Sequence, residues 1–323
     1  MTDLRSHTVK NYKTIGGIQY KLLDISYQVY GQPLHTAPIV LVNHALTGNS
    51  TVTGENGWWN PIVGFNKVID LNTYTVIAID IIGNGNNQRV IENYSDFVLK
   101  DIAVLHNILL EHLNVADIFA CVGGSIGGGL GWELSVLNPN LIRYLIPIAT
   151  HWQASDWVIA QTFVQNSILT NSLHPLEDAR KIAMLLYRTP ESIAQKFNQE
   201  KEESSGLYKT EAWLNYHGKA LAKRFRPQAY RMVNHLLSTL NITRGNIHFS
   251  KAVQNFKSTV IQVGIDSDLF FKAEDTKKTK QLLDQAGITN EYHEIKSIHG
   301  HDAFLIEHDQ LTEILKPIFN ATL

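Results

Sequence analysis

The 323 residues are 44% hydrophobic and 18% charged, enough for one large α/β core with an insertion or for two smaller cores. The 28 basic and 30 acidic side chains are mixed along the chain and leave a formal net charge of −2, which argues against nucleic acid or a membrane surface as the main partner. A single cysteine, Cys121, excludes an internal disulfide and disfavours a thiolate metal cluster, so neither a metal nor a tightly bound cofactor is expected. The opening Met-Thr-Asp-Leu-Arg-Ser-His lacks the apolar run of a signal peptide, and no apolar stretch of about 18 residues follows. A cytoplasmic protein is expected.

In chain order, short runs rich in Val and Ile at 39–42 and 75–79 read as buried parallel strands. The apolar positions Phe97, Ile102, Leu105, Ile108 and Leu109 give 97–113 a helical spacing. Residues 118–122 form a third strand run, and the segment after Gly127 up to Val136 reads as a helix. A fourth run, 145–148, contains Pro147, which weakens it as a strand. Such alternation is the mark of βαβ units on one mostly parallel sheet flanked by helices. From 151 to 246 helical patterns replace strands, with helices expected at 176–187, 190–197 (Pro190 at its start) and 210–225. The polar 200–205 reads as a loop, and strand character returns at 258–263 and 291–295. The expected organisation is a core built from 1–150 and 247–323, interrupted by a helical cap inserted at 151–246.

Gly123-Gly124-Ser125-Ile126-Gly127 satisfies the G-x-S-x-G pattern between a buried strand and a helix. In that context the pattern marks an α/β-hydrolase fold, with Ser125 as nucleophile on a sharp strand-to-helix turn. Such a turn places the N–H of Ile126 at a helix N-terminus, where it can stabilise an oxyanion. A phosphate loop would need Gly-Lys-Ser/Thr, and no dinucleotide fingerprint follows the first strand. A nucleophilic serine needs a base and the base an orienting acid, in the chain order Ser, acid, His. The loops after the last two strand runs offer Asp266 or Asp268 as acid and His299 or His301 as base, and spacing does not choose within either pair. The second oxyanion donor is expected from the loop after the first strand, at the N–H of Leu46, with His44 beside it as a packed, hydrogen-bonded histidine rather than a proton carrier.

These segments resemble the homoserine O-acyltransferase family, best known through the homoserine O-acetyltransferases, from about Gly31 onward. The resemblance rests on His-Ala-Leu-Thr-Gly at 44–48, Gly-Trp-Trp at 57–59 and Gly-Gly-Ser-Ile-Gly-Gly at 123–128. Ser-Asp-Leu-Phe-Phe at 267–271 and Gly-His-Asp-Ala-Phe-Leu at 300–305 complete it, and they select Asp268 and His301. It further implies that Arg180 and Tyr187 on a cap helix, with Asp302, hold the amino acid acceptor. Seven residues are nearly two turns at about 3.6 residues per turn, so Arg180 and Tyr187 share a helix face. Arg180 would pair with an α-carboxylate and Asp302 with an α-ammonium.

The reaction so implied is acyl transfer, most simply of acetyl, from acyl-CoA as co-substrate to L-homoserine through an acyl-Ser125 intermediate, in a homodimer joined through the cap helices. Residues 81–87 and the loop onward to Ser95 are shorter and less glycine-rich than in that family, and Gly129 replaces a larger residue. The shortened loop motivates the alternative of an esterase or thioesterase using the same three residues. Donor acetyl versus succinyl, and homoserine versus another hydroxy-amino acid, stay open.

Overall fold

The inner strands form where β-branched and aliphatic residues run continuously, because both faces of those strands are covered. The structure, a computed structural model, describes residues 3–244 and 248–320. It begins with an antiparallel hairpin, β1 (Arg5–Lys13) and β2 (Gln19–Gly31), then β3 (Ile39–Asn43), a small two-stranded pair β4 (Val63–Gly64) and β5 (Ile69–Asp70), and β6 (Thr75–Ile79). Next come α1 (Leu99–His112), β7 (Ile118–Gly124), α2 (Ile126–Leu137) and β8 (Ile142–Ile148). Five helices follow without a strand between them: α3 (Asp156–Asn171), α4 (Pro175–Tyr187), α5 (Pro190–Phe197), α6 (Lys209–Arg224) and α7 (Pro227–Ser238). The chain closes with α8 (Phe249–Val253), β9 (Thr259–Ile265), α9 (Ala273–Gln285), β10 (Asn290–Ile295) and α10 (His308–Asn320).

The main sheet has the order β1-β2-β6-β3-β7-β8-β9-β10, parallel from β6 to β10 and antiparallel at β1 and β2. Pro147 is accommodated inside it. It lies opposite Gly123 of β7, and pairing of β8 with β9 passes from Leu145–Val260 to Ile148–Val263 without a paired residue between. Proline lacks the N–H that an unbroken ladder requires. Side chains alternate between the two faces: Leu41, Ile77 and Cys121 join one buried cluster, while Val40, Val42, Ala78 and Val122 join the other. Proline opens α4, α5 and α7, and the Thr189 hydroxyl caps α5 by accepting from Ser192 N–H. The 246/247 boundary expected for the cap lies outside the described residues.

Burial leaves several polar groups without water. The Cys121 thiol is pushed up to about 12 by burial and is chemically quiet. His106 of α1 donates from Nε2 to the Asp80 carbonyl at 3.3 Å, and burial pushes it down to about 3. The folded chain therefore refuses a proton that the unfolded chain accepts near pH 6.5. This contribution is intact above pH 6.5 and is lost as pH falls, by about 1.4 kcal/mol per pH unit until about pH 3. The buried His44 and His151 are lowered too and act in the same direction. Urea unfolding is expected to show a lower midpoint at mildly acidic than at neutral pH, with part of that slope removed in His106→Gln. An equal slope in wild type and variant would contradict the assignment.

Candidate active site

The site gathers where β3, β7, β9 and β10 end. Ser125 follows β7 with a φ of 56° and a ψ of −129°, a region that non-glycine residues enter only under constraint. The constraint comes from close packing. A Cβ on Gly123 would lie 2.4 Å from the Gly127 backbone, and one on Gly127 would lie 2.4 Å from the Asn43 carbonyl. Ser125 N–H donates to the Ile148 carbonyl at 2.9 Å, while its own carbonyl accepts from Gly128 and Gly129 N–H. Ile126 is the first residue of α2, so its N–H has no acceptor within the helix.

Asp268 and His301 meet across the β9 and β10 loops. Asp268 Oδ2 accepts from His301 Nδ1 at 2.8 Å, and both side chains are buried. Asp268 Oδ1 accepts from the N–H groups of Phe270 and Phe271 at 2.7 and 2.9 Å, which fixes the carboxylate before it meets the ring. Tyr187, Phe270, Phe271 and Phe304 surround the His301 ring at centroid distances of 5.2 to 5.7 Å. The two rivals are engaged elsewhere. Asp266 accepts from Ser297 N–H, and His299 Nδ1 bonds the Ser192 hydroxyl of α5.

The loop after β3 is held by His44. Its Nδ1–H donates to the Ala45 carbonyl at 2.8 Å, and its Nε2 accepts from Ile81 N–H at 3.0 Å. Burial lowers its pKa, so the ring stays neutral and both bonds persist. Gly48 N–H donates to the same Ala45 carbonyl at 2.8 Å. A trans peptide is planar, so pinning that carbonyl on one side aims the Leu46 N–H to the other. The short segment after β6 supports the same loop, since Asp80 Oδ1 accepts from Ser50 N–H at 2.7 Å.

A small cavity of about 60 Å³ brings the expected residues together: Leu46, Ser125, Arg180, Tyr187, His301 and Asp302 all line it. The Arg180 guanidinium lies 5.8 Å from the Tyr187 ring centre, as the shared helix face requires. Burial raises the Tyr187 phenol, which therefore stays protonated. Asp302 is not free: its Oδ2 accepts from Arg188 Nε at 3.0 Å. Sequence reasoning did not reach Arg188, because its partner lies 114 residues away and no local pattern marks the pair. Among the described residues no group of three or more His, Cys, Asp or Glu is placed to hold a metal.

Residues 38–307 match the α/β-hydrolase-fold family. The homoserine O-acetyltransferase of Cyclobacterium marinum is 30% identical over 327 residues, covering 94% of this chain and 91% of that one. The chain belongs to the homoserine O-acetyltransferase family. Among solved structures, the homoserine O-acetyltransferase from Staphylococcus aureus superposes with a TM-score of 0.85 at 22% identity, covering 100% of this chain and 97% of that one. An esterase superposes with a TM-score of 0.87 at 17% identity, covering 99% and 100%. Members of the homoserine O-acetyltransferase family and esterases thus share this fold, and the choice between transfer and hydrolysis rests on side chains. In this family member an added atom at Gly124 would displace the buried Phe304 ring, since a Cβ there would lie 2.5 Å from it. Gly124→Ala is expected to cost about 1–3 kcal/mol in urea unfolding and to slow labelling of Ser125 by a serine-directed phosphonate. Wild-type labelling in a destabilised variant would mean that the elbow does not depend on this packing.

Proposed function

We propose that the protein transfers an acetyl group from acetyl-CoA to the side-chain hydroxyl of L-homoserine by a ping-pong mechanism through acyl-Ser125. One observation carries this reading: a single cavity is lined by Ser125 and His301 and also by the charged pair Arg180 and Asp302. A simple esterase has no need of two opposite charges beside its nucleophile, whereas an amino acid acceptor presents one carboxylate and one ammonium. The similarity to homoserine O-acetyltransferases supports the same acceptor.

In the first half-reaction His301, oriented by Asp268, takes the Ser125 Oγ proton as Oγ attacks the thioester carbonyl. The N–H groups of Leu46 and Ile126 receive the developing oxyanion, each worth about 3 kcal/mol of barrier. The C–S bond breaks, and the departing sulfur takes the proton from His301. In the second half-reaction the homoserine hydroxyl gives its proton to His301 and attacks the acyl carbon, and Ser125 leaves with that proton. Arg180 holds the α-carboxylate, Asp302 the α-ammonium, and the Tyr187 ring stacks under the Arg180 guanidinium. Coenzyme A serves as the carrier of a co-substrate, with no resident cofactor.

Helices α3–α7, within 151–246, act as a cap that keeps water from the acyl-enzyme. Along α3 the side chains of Trp157, Ile159, Phe163 and Val164 are exposed, Phe163 by 71%. This apolar face supports a homodimer formed through the cap. The free, buried Cys121 fits a reducing cytoplasm. The Arg188–Asp302 ion pair favours a second reading, a serine hydrolase, because it occupies the carboxylate meant for the acceptor.

Intact-protein mass spectrometry with acetyl-CoA separates the two. A transferase gains an acetyl mass on Ser125 that clears with formation of O-acetyl-homoserine when L-homoserine is added, and Arg180→Met keeps the acylation but loses acceptor affinity. Equal clearance with and without L-homoserine, releasing acetate, makes the protein a hydrolase. For the dimer, Phe163→Asp is expected to halve the mass seen in sedimentation equilibrium, and an unchanged mass would reject α3 as the contact.

A further inference from the structure

The oxyanion loop is held from two sides. On the core side His44 and Gly48 N–H fix the Ala45 carbonyl, as described above. On the other side Arg224 Nη1 donates to the Thr47 carbonyl at 2.7 Å across 177 residues of sequence. The Leu46 N–H lies between these two pinned carbonyls. We infer that Arg224 is a positioning residue that couples the seating of the cap to the oxyanion hole. The inference rests on the reading of Leu46 as an oxyanion donor to Ser125 chemistry.

Arg224 is the last residue of α6, and the support beneath it is stiff. Leu221 and Phe225 are buried on either side of it, and a Cβ on Gly218 would lie 2.9 Å from the Glu177 carbonyl, so α6 is locked onto α4. A cation at a helix C-terminus is favourable anywhere in the last turn. That preference does not require its guanidinium to reach a core loop, and Lys223, one residue earlier, meets it equally. Among the described residues Arg224 has no carboxylate partner, and its charge-assisted bond goes to the peptide oxygen of Thr47. The geometric demand on an oxyanion donor is strict, at about 2.7–3.1 Å from the oxygen it serves. The Ala45–Gly48 turn is closed on the core side by the Gly48 N–H bond. The Arg224 bond to the Thr47 carbonyl adds a second restraint from the solvent side, and it exists only when α6 is in place. The position of α6 and the path of the oxyanion loop are thereby linked.

Arg180 lies close enough to act on the Arg224 charge, so a direct role in binding an anionic substrate is the rival explanation. Neutral p-nitrophenyl acetate, which carries neither coenzyme A phosphates nor an amino acid carboxylate, tells them apart. Stopped-flow release of p-nitrophenolate from full-length wild type, Arg224→Gln and Arg224→Lys measures acylation of Ser125 alone. Loss of an oxyanion donor costs about 10²–10³-fold, so a loosened donor is expected to slow the burst about tenfold in Arg224→Gln. Arg224→Lys should recover part of the rate, with the melting temperature and the KM for L-homoserine unchanged. Hydrogen exchange of the 44–48 amides should quicken in Arg224→Gln, a readout that holds whatever chemistry Ser125 performs. A full-rate burst combined with a raised KM for acetyl-CoA or for L-homoserine would overturn the inference in favour of substrate binding. Unchanged exchange at 44–48 would overturn it as well. The wild-type burst itself tests Ser125, whereas only the ratio of variant to wild type tests Arg224.

Discussion

Ser125 occupies a backbone conformation that costs a non-glycine residue on the order of 1–3 kcal/mol, and it persists only because its surroundings leave no alternative. Those surroundings are glycines. With no Cβ at Gly123 and Gly127, the end of β7, the start of α2 and the end of β3 approach more closely than side chains permit. That contact sets where the hydroxyl points, where the free N–H of Ile126 lies, and how near the loop after β3 comes. Phe304, which fills the space over Gly124, belongs to the same turn as His301, so the elbow also sets the height of the histidine loop.

The helices between β8 and β9 hold the loops of the site, each by a different polar contact. Arg224 reaches the Thr47 carbonyl beside Leu46, and Trp157 Nε1 donates to the Leu269 carbonyl at 2.6 Å beside Asp268. Arg188 pairs with Asp302, and the Thr189 hydroxyl donates to the Ile298 carbonyl at 2.5 Å before His301. Most of these bonds end on backbone carbonyls, so they constrain loop path rather than side-chain identity. The exposed face of α3 that carries Trp157 therefore adjoins the acid loop, and a contact formed there bears on the Asp268 region through one helix.

Buried polar groups in the core are held by directed hydrogen bonds. His44 and His106 are held neutral by burial and used as directional hydrogen-bonding groups. Asp80 makes no ion pair among the described residues and is surrounded by donors, from Ser26, Ser50, Asn84 and Asn86. This hub stands directly behind the oxyanion loop. The segment from Asp80 onward, whose shortness in the sequence motivates the hydrolase alternative, is placed where Asp80 holds Ser50 and Ile81 holds His44.

How much of this was legible in the residues follows from the range of the forces involved. Continuous apolar runs mark β3, β6 and β7 because burial on both faces demands apolar side chains. The β1–β2 hairpin is hidden, since β1 is mostly exposed and the buried stretch of β2 carries polar Ser26 and Gln28 among its apolar residues. The elbow is visible because its demands are local: a serine flanked by residues without Cβ, after a strand and before a helix. Spacing leaves Asp266 beside Asp268 and His299 beside His301 undivided, and only the family resemblance chooses between them from the sequence. Only the tertiary structure decided which of each pair meets the other, that Asp302 is shared with Arg188, and that Arg224 bonds Thr47. These contacts join residues from 33 to 177 positions apart. Sequence determines local conformation and burial through short-range sterics and hydrophobic pattern; which distant polar groups meet is set by how the helices pack, and no local pattern encodes that.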